Sequence, residues 1–177
     1  MPQTEITESL FLVGFMGAGK TTVAAALSRL TGVPHVDLDQ LVVEQVGRTI
    51  PVIFASSGEQ AFRTFETSAL RSLCDGVTRI VATGGGVVGR EENWICMRQQ
   101  GRVVYLQADW AVLAERIGSG EGRPLASGEE RARLQLLWQS RLPLYEQADL
   151  VVKVDQGSPD EIALEILGAL GTRRAQQ

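Results

Sequence analysis

The sequence predicts an α/β fold, a mostly parallel sheet with helices on both faces. Short apolar runs alternate with longer amphipathic ones along its 177 residues, the pattern of strands joined by helical crossovers. The first such run passes directly into a Gly-x-x-x-x-Gly-Lys-Thr motif that opens an amphipathic segment. The composition, 44% hydrophobic and 21% charged, is that of an ordinary globular chain of one-domain size, so a single domain over residues 1–177 is expected.

In chain order, strands are predicted at 10–13, 35–37, 78–82, 103–106 and 150–154. Helices are predicted at 20–30, 59–73, 91–100, 109–117, 129–145 and 160–170. The last helix has a clear start signal: Ser158, Pro159 and Glu161 supply a capping hydroxyl, a first-turn proline and a reciprocal carboxylate at capping-box spacing. Residues 118–128, rich in glycine and polar groups, read as a mobile loop inside the domain, and 172–177 as a frayed tail.

Gly14-Phe15-Met16-Gly17-Ala18-Gly19-Lys20-Thr21 follows a strand and opens a helix, the context a phosphate-binding loop requires. Its glycines let backbone N–H groups converge on phosphates. The helix N-terminus adds partial positive charge, Lys20 reaches the β- and γ-oxygens, and the Thr21 hydroxyl can ligate Mg²⁺. Gly17, Ala18, Gly19, Lys20, Thr21 and Thr22 form the expected nucleotide-binding set. A third glycine is missing from Gly17-Ala18-Gly19, which disfavours a dinucleotide fingerprint.

Phosphoryl transfer calls for a carboxylate at a neighbouring strand end to hold the metal. Val36-Asp37-Leu38-Asp39 offers two, which share one face if the backbone is extended. Asp37 is assigned to the Mg²⁺ shell and Asp39 to acceptor hydroxyls, against the alternative of surface carboxylates at a turn. Arg63 and Arg141 lie on predicted helices, and spacing alone leaves them equally readable as solvated charges. Thr83-Gly84-Gly85-Gly86 follows a strand where such sheets bind ligands, and three glycines let backbone approach a small molecule.

Taken together, the phosphate loop, Asp37-Leu38-Asp39, Gly58-Glu59-x-x-Phe62-Arg63-x-x-Glu66, Gly84-Gly85-Gly86, Arg123-Pro124-Leu125 and Arg141-x-Pro143-Leu144-Tyr145 resemble, in order and spacing, the shikimate kinases over about residues 10–170. The resemblance implies a three-layer P-loop NTPase fold of the nucleoside-monophosphate-kinase type, with a five-stranded parallel sheet in the order 2-3-1-4-5. It places a substrate-binding segment at about 39–66 and a lid at about 117–128. It also implies transfer from MgATP to the shikimate 3-hydroxyl, a step towards chorismate and the aromatic amino acids. Arg63 and Arg141 would clamp the shikimate carboxylate, with Glu66 orienting Arg63. Asp39 would hold the ring hydroxyls, and Gly84, Gly85 and Gly86 would form the wall beside them. Phe54 and Phe62 would line the apolar side of the pocket or, on the alternative reading, pack in the core. Lys20, Asp39 and Arg123 are the expected catalytic residues, Arg123 reaching the phosphates on lid closure. Arg116 would stack on adenine, flanked by Ser158 and Pro159.

A formal net charge of −4 gives no footprint for nucleic acid, and no run of 18 apolar residues offers a membrane span. With no charged leader before the first apolar run, a cytoplasmic chain is expected, and the resemblance leans towards a monomer. Cys74 and Cys96 are expected as separate reduced thiols and His35 as a strand-edge packing residue. Trp94, Trp110 and Trp138 are expected to pack or line the surface. Two rivals are a gluconate kinase-like enzyme, which would not need the pair of arginines around Gly84–Gly86, and a silent nucleotide-binding module. Nothing in the retained Lys20, Thr21, Asp37, Arg123 and Arg141 favours the latter.

Overall fold

The computed structural model describes residues 6–118 and 128–174. Strands β1 (Ser9–Val13), β2 (His35–Asp37), β3 (Ile80–Ala82), β4 (Gly101–Gln107) and β5 (Leu150–Lys153) form one parallel sheet in the order β2-β3-β1-β4-β5. β1 lies in the middle and every residue of it is buried, which is why it reads as an unbroken apolar run. Helices α1 (Lys20–Thr31), α2 (Leu38–Val46), α3 (Ile50–Ser72), α4 (Glu91–Gln100), α5 (Trp110–Gly118), α6 (Gly128–Tyr145) and α7 (Pro159–Arg174) complete the chain.

The strand order decides where the helices go. The chain leaves β1 through α1 towards one edge of the sheet, whereas the crossover from β3 through α4 to β4 runs the other way. Right-handed crossovers in opposite directions put α1 and α4 on opposite faces and give three layers. The reversal opens a crevice at the carboxyl ends of β1 and β3, where α/β sheets bind ligands.

Most predicted elements stand within a few residues of their expected bounds, and the expected sheet order is the one observed. The differences have local causes. Residues 38–46, left unassigned above, form α2 because the Asp37 side chain caps it, accepting from Asp39 N (3.0 Å) and Gln40 N (3.2 Å). The helix expected from residue 59 begins at Ile50 and is broken at Gly58, whose backbone is non-helical (φ 80°, ψ 173°). Residue 59 is thus the start of its second half. The helix α7 runs to Arg174, through positions expected to fray, and its capping box forms as predicted: Ser158 N donates to Glu161 Oε2 (2.7 Å) and Glu161 N to Ser158 Oγ (3.3 Å).

Cys74 and Cys96 are joined in a disulfide, correcting the expectation of two separate thiols. Side-by-side packing of α3 and α4 brings together cysteines 22 residues apart, a proximity their spacing could not reveal. His35 is exposed at the start of the edge strand β2. Trp94 is buried and donates to Val88 O (3.0 Å), while Trp110 and Trp138 stack on each other with centroids 5.8 Å apart.

Gly58 occupies a backbone region that residues with a Cβ rarely adopt. Gly58→Ala is expected to lower unfolding free energy by about 1–3 kcal/mol, measured by urea denaturation. An unchanged midpoint would show that the break in α3 does not depend on glycine.

Candidate active site

The loop between β1 and α1 turns through Gly19, which takes the left-handed conformation and caps α1. Lys20 at the first helical position folds back over this loop, its Nζ donating to Gly14 O (2.8 Å) and Phe15 O (3.0 Å). Burial pulls the Lys20 ammonium down to about 8, although the nearby Asp39 and Asp37 charges oppose that shift. Thr21 Oγ1 donates to Asp37 Oδ2 at 2.7 Å. The structure thus brings Thr21 and Asp37 together, but by a route the sequence did not suggest. Asp37 ends β2 and caps α2 with Oδ1, so Asp39 lies on the first turn of a helix instead of two residues along an extended strand.

Asp39 Oδ1 is buried with no hydrogen-bond partner. Burial first, then the Asp37 charge, raises its pKa above the usual carboxylate range. Across from it, Arg63 Nη1 donates to Glu66 Oε2 (2.9 Å) and Nη2 to Glu59 Oε1 (3.3 Å), with the guanidinium 5.1 Å from the Phe62 ring centroid. Glu66 is fully buried, its pKa is raised chiefly by that burial, and its Oε1 also lacks a partner. Both orphan oxygens converge on Gly84: a Cβ there would stand 2.5 Å from Glu66 Oε1 and 3.0 Å from Asp39 Oδ1. One on Gly86 would overlap the Arg63 guanidinium. These glycines are dictated by close approach of charged groups to the backbone.

Arg141, on α6, reaches the same turn. A Cβ on Gly85 would lie 3.4 Å from its Nη1, and its guanidinium stands 5.9 Å from the Phe15 ring centroid. Among the described residues it forms no ion pair with a carboxylate. Four positions along the helix, the buried Tyr145 donates its hydroxyl to Gly85 O at 2.6 Å. The sequence reading quoted Tyr145 but gave it no role; its i,i+4 spacing from Arg141 on one helix face was the available signal.

Phosphate loop, Asp37, Asp39, Arg63, Arg141 and the Gly84–Gly86 turn line one cleft of about 1080 Å³. Arg116 and Pro159 border it at the nucleotide end, Arg116 donating to Gly17 O (3.3 Å) and Val154 O (2.7 Å). Ile50, Pro51, Phe54 and Leu137 give the opposite end an apolar rim. Phe62 is both buried in the core and at the cleft wall, its ring 4.9 Å from and tilted against that of the exposed Phe54, which lines the cleft without joining the core. Arg123 and the rest of the expected lid between Gly118 and Gly128 lie outside the described residues.

One end of the cleft therefore presents a helix N-terminus with lysine and hydroxyl to an anion. The other offers two guanidinium groups and unpaired carboxylate oxygens to a molecule carrying both a negative group and hydroxyl donors. A group of three or more metal-ligating side chains is absent among the described residues. The Thr21–Asp37 pair fits a magnesium ion held largely by phosphate oxygens and water.

Comparisons with known proteins agree with this geometry. A family model described as shikimate kinase matches residues 16–171. A shikimate kinase from Synechococcus elongatus is 42% identical over 157 residues, 88% of this chain and 82% of that one. Another, from Dictyoglomus turgidum, is 41% identical over 92% of this chain and 96% of its own. The solved structure of a shikimate kinase from Acinetobacter baumannii in complex with shikimate superposes with a TM-score of 0.88 at 35% identity, covering 96% of each chain. A gluconokinase from Sinorhizobium meliloti, with a TM-score of 0.68 at 19% identity, shares the fold alone. With a family model spanning most of its length and relatives above 40% identity, this chain belongs to the shikimate kinase family.

Proposed function

We infer that the protein transfers the γ-phosphoryl group of ATP to the 3-hydroxyl of shikimate, giving shikimate 3-phosphate and ADP on the way to chorismate and the aromatic amino acids. The observation that carries this reading is the pairing, across one cleft from the phosphate loop, of two arginines with a buried and unsatisfied Asp39 oxygen. A buried acceptor without a partner costs on the order of 1–3 kcal/mol. A ligand hydroxyl placed against Asp39 Oδ1 removes that penalty.

Arg63 and Arg141 grip the shikimate carboxylate, where a guanidinium fork offers a directional match that a lysine lacks. Asp39 orients the 3-hydroxyl and takes its proton, a task suited to a carboxylate whose burial raises its pKa. The phosphorus–oxygen bond to the β-phosphate breaks as the bond to the 3-oxygen forms. Lys20 and the loop amides hold the developing negative charge on the phosphates. Thr21 and Asp37 would hold Mg²⁺, which would supply positive charge to the phosphate oxygens. Arg116 and Pro159 flank the base, and Arg123, assigned from its sequence position alone, would stabilise charge on the transferring group. No helix among the described residues is long and apolar enough to cross a membrane. We place the enzyme in the cytoplasm as a monomeric single domain; light scattering of the purified protein checks the oligomeric state.

Release of ADP from MgATP should depend on shikimate, with gluconate and the acceptor-free control silent. Release with gluconate would overturn the acceptor, and silence throughout would favour a nucleotide-binding module. Arg63→Ala and Arg141→Ala are expected to raise KM for shikimate, and Asp39→Asn to lower kcat at least a hundredfold with the fold intact by circular dichroism. Because Lys20 binds phosphate as an ammonium and loses its proton near pH 8 in the free enzyme, kcat/KM for ATP should fall above about pH 8. A flat profile up to pH 10 would contradict this role.

A further inference from the structure

We propose that the Tyr145 hydroxyl is the positioning group that fixes Arg141 against the Gly84–Gly86 turn, and so sets the affinity of the site for the acceptor's carboxylate. The inference rests on the reading of Arg141 given above.

Tyr145 is buried, yet its oxygen stands where two functional parts meet. The phenol has one proton to give, and gives it to Gly85 O at 2.6 Å. The Arg141 guanidinium lies against the same glycine. Gly85 is packed between these groups and the phosphate loop: a Cβ on it would stand 3.4 Å from Arg141 Nη1, 3.5 Å from Gly14 O and 3.7 Å from Tyr145 Oη. The ring cannot drift, because it stacks on Tyr105 of the buried strand β4 with centroids 5.1 Å apart and planes 19° from parallel. A rigid strand thus holds the ring, the ring holds the hydroxyl, and the hydroxyl holds the Gly85 wall against which the unpaired Arg141 guanidinium rests. Burial pushes the Tyr145 phenol up to about 12, so the donor survives throughout the working pH range.

An arginine without a carboxylate partner would otherwise sample several rotamers, and freezing such a side chain on binding weakens affinity. The Gly85 wall that Tyr145 fixes and the face of Phe15 remove that freedom beforehand.

The test measures kcat and both KM values for wild type, Tyr145→Phe, Tyr105→Phe, Arg141→Ala and the Arg141→Ala/Tyr145→Phe double variant, with a melting curve for each. Tyr145→Phe keeps the ring and should raise KM for shikimate roughly tenfold, leaving KM for ATP within about twofold. Tyr105→Phe, which perturbs the same stack from the other side, should change neither constant. In the Arg141→Ala background, removing the Tyr145 hydroxyl should add nothing, since the effect passes through Arg141. The proposal is overturned if shikimate KM is unmoved in Tyr145→Phe, if ATP KM rises with it, if Tyr105→Phe does the same, if the two losses add, or if Tyr145→Phe does not fold. Should Arg141→Ala itself leave shikimate KM unchanged, the carboxylate reading of Arg141 falls and takes this inference with it, a result distinct from a silent Tyr145→Phe beside an impaired Arg141→Ala.

Discussion

The pairing of β1 with β3 governs the geometry of the whole cleft. Leu10 lies opposite Ile80 and Leu12 opposite Ala82, and at the end of that ladder both the amide and the hydroxyl of Thr83 donate to Leu12 O, at 3.1 and 2.8 Å. The phosphate loop and the glycine turn leave these two strands side by side, and a slip of one residue would reverse every side chain of one strand relative to the sheet. Apolar burial prevents the slip: Leu10, Phe11, Leu12, Ile80 and Val81 are at most 1% exposed. Beyond the turn, Asn93 and Trp94 at the start of α4 donate to the carbonyls of Val87 and Val88, so the glycines are held at both ends although they form no regular structure themselves. Hydrophobic packing fixes the register, and the register fixes the site.

Against that rigid frame the cleft retains unpaired polarity. Asp39 Oδ1 and Glu66 Oε1 are buried acceptors without donors, whereas Lys20 donates to the carbonyls of Gly14 and Phe15. The two orphan oxygens cost stability that a ligand hydroxyl placed against them would restore. The glycines at 84 and 86 belong to the same logic, since a side chain at either would fill space that charged groups occupy.

What was legible in the sequence was what is local. The phosphate loop, the capping box at Ser158 and the alternation of strands with helices depend on residues a few positions apart, and each appears where the pattern placed it. Residues 38–46 were not legible as a helix: Val42, Val43 and Val46 weaken its helical signal, and α2 exists because Asp37 caps it and because it packs on α3. Reading Asp37 and Asp39 as an extended pair failed for the same reason, although both still reach the cleft. The disulfide and the contact of Tyr145 with Gly85 join positions 22 and 60 residues apart, and only the packed fold brings them together. Arg63 and Arg141 were assigned through the resemblance; their spacing alone left them indistinguishable from surface charges.

The structure also separates those two arginines from each other. Arg63 is already neutralised by Glu66 at 2.9 Å and Glu59 at 3.3 Å, so an incoming carboxylate must share it with acidic groups in place, one of them fully buried. Arg141 has no such competitor among the described residues, only the glycine turn and an aromatic face. Desolvating a carboxylate is repaid most fully by the guanidinium whose charge is still uncompensated. On the proposed reading, Arg141 would supply most of the attraction for the acceptor, while Arg63, bonded to its own carboxylates and laid against Gly86, would chiefly set the angle at which the acceptor lies. On that reading a carboxylate drawn to Arg141 and turned by Arg63 would present the hydroxyls of the same molecule to Asp39, which lines the same cleft as the phosphate loop.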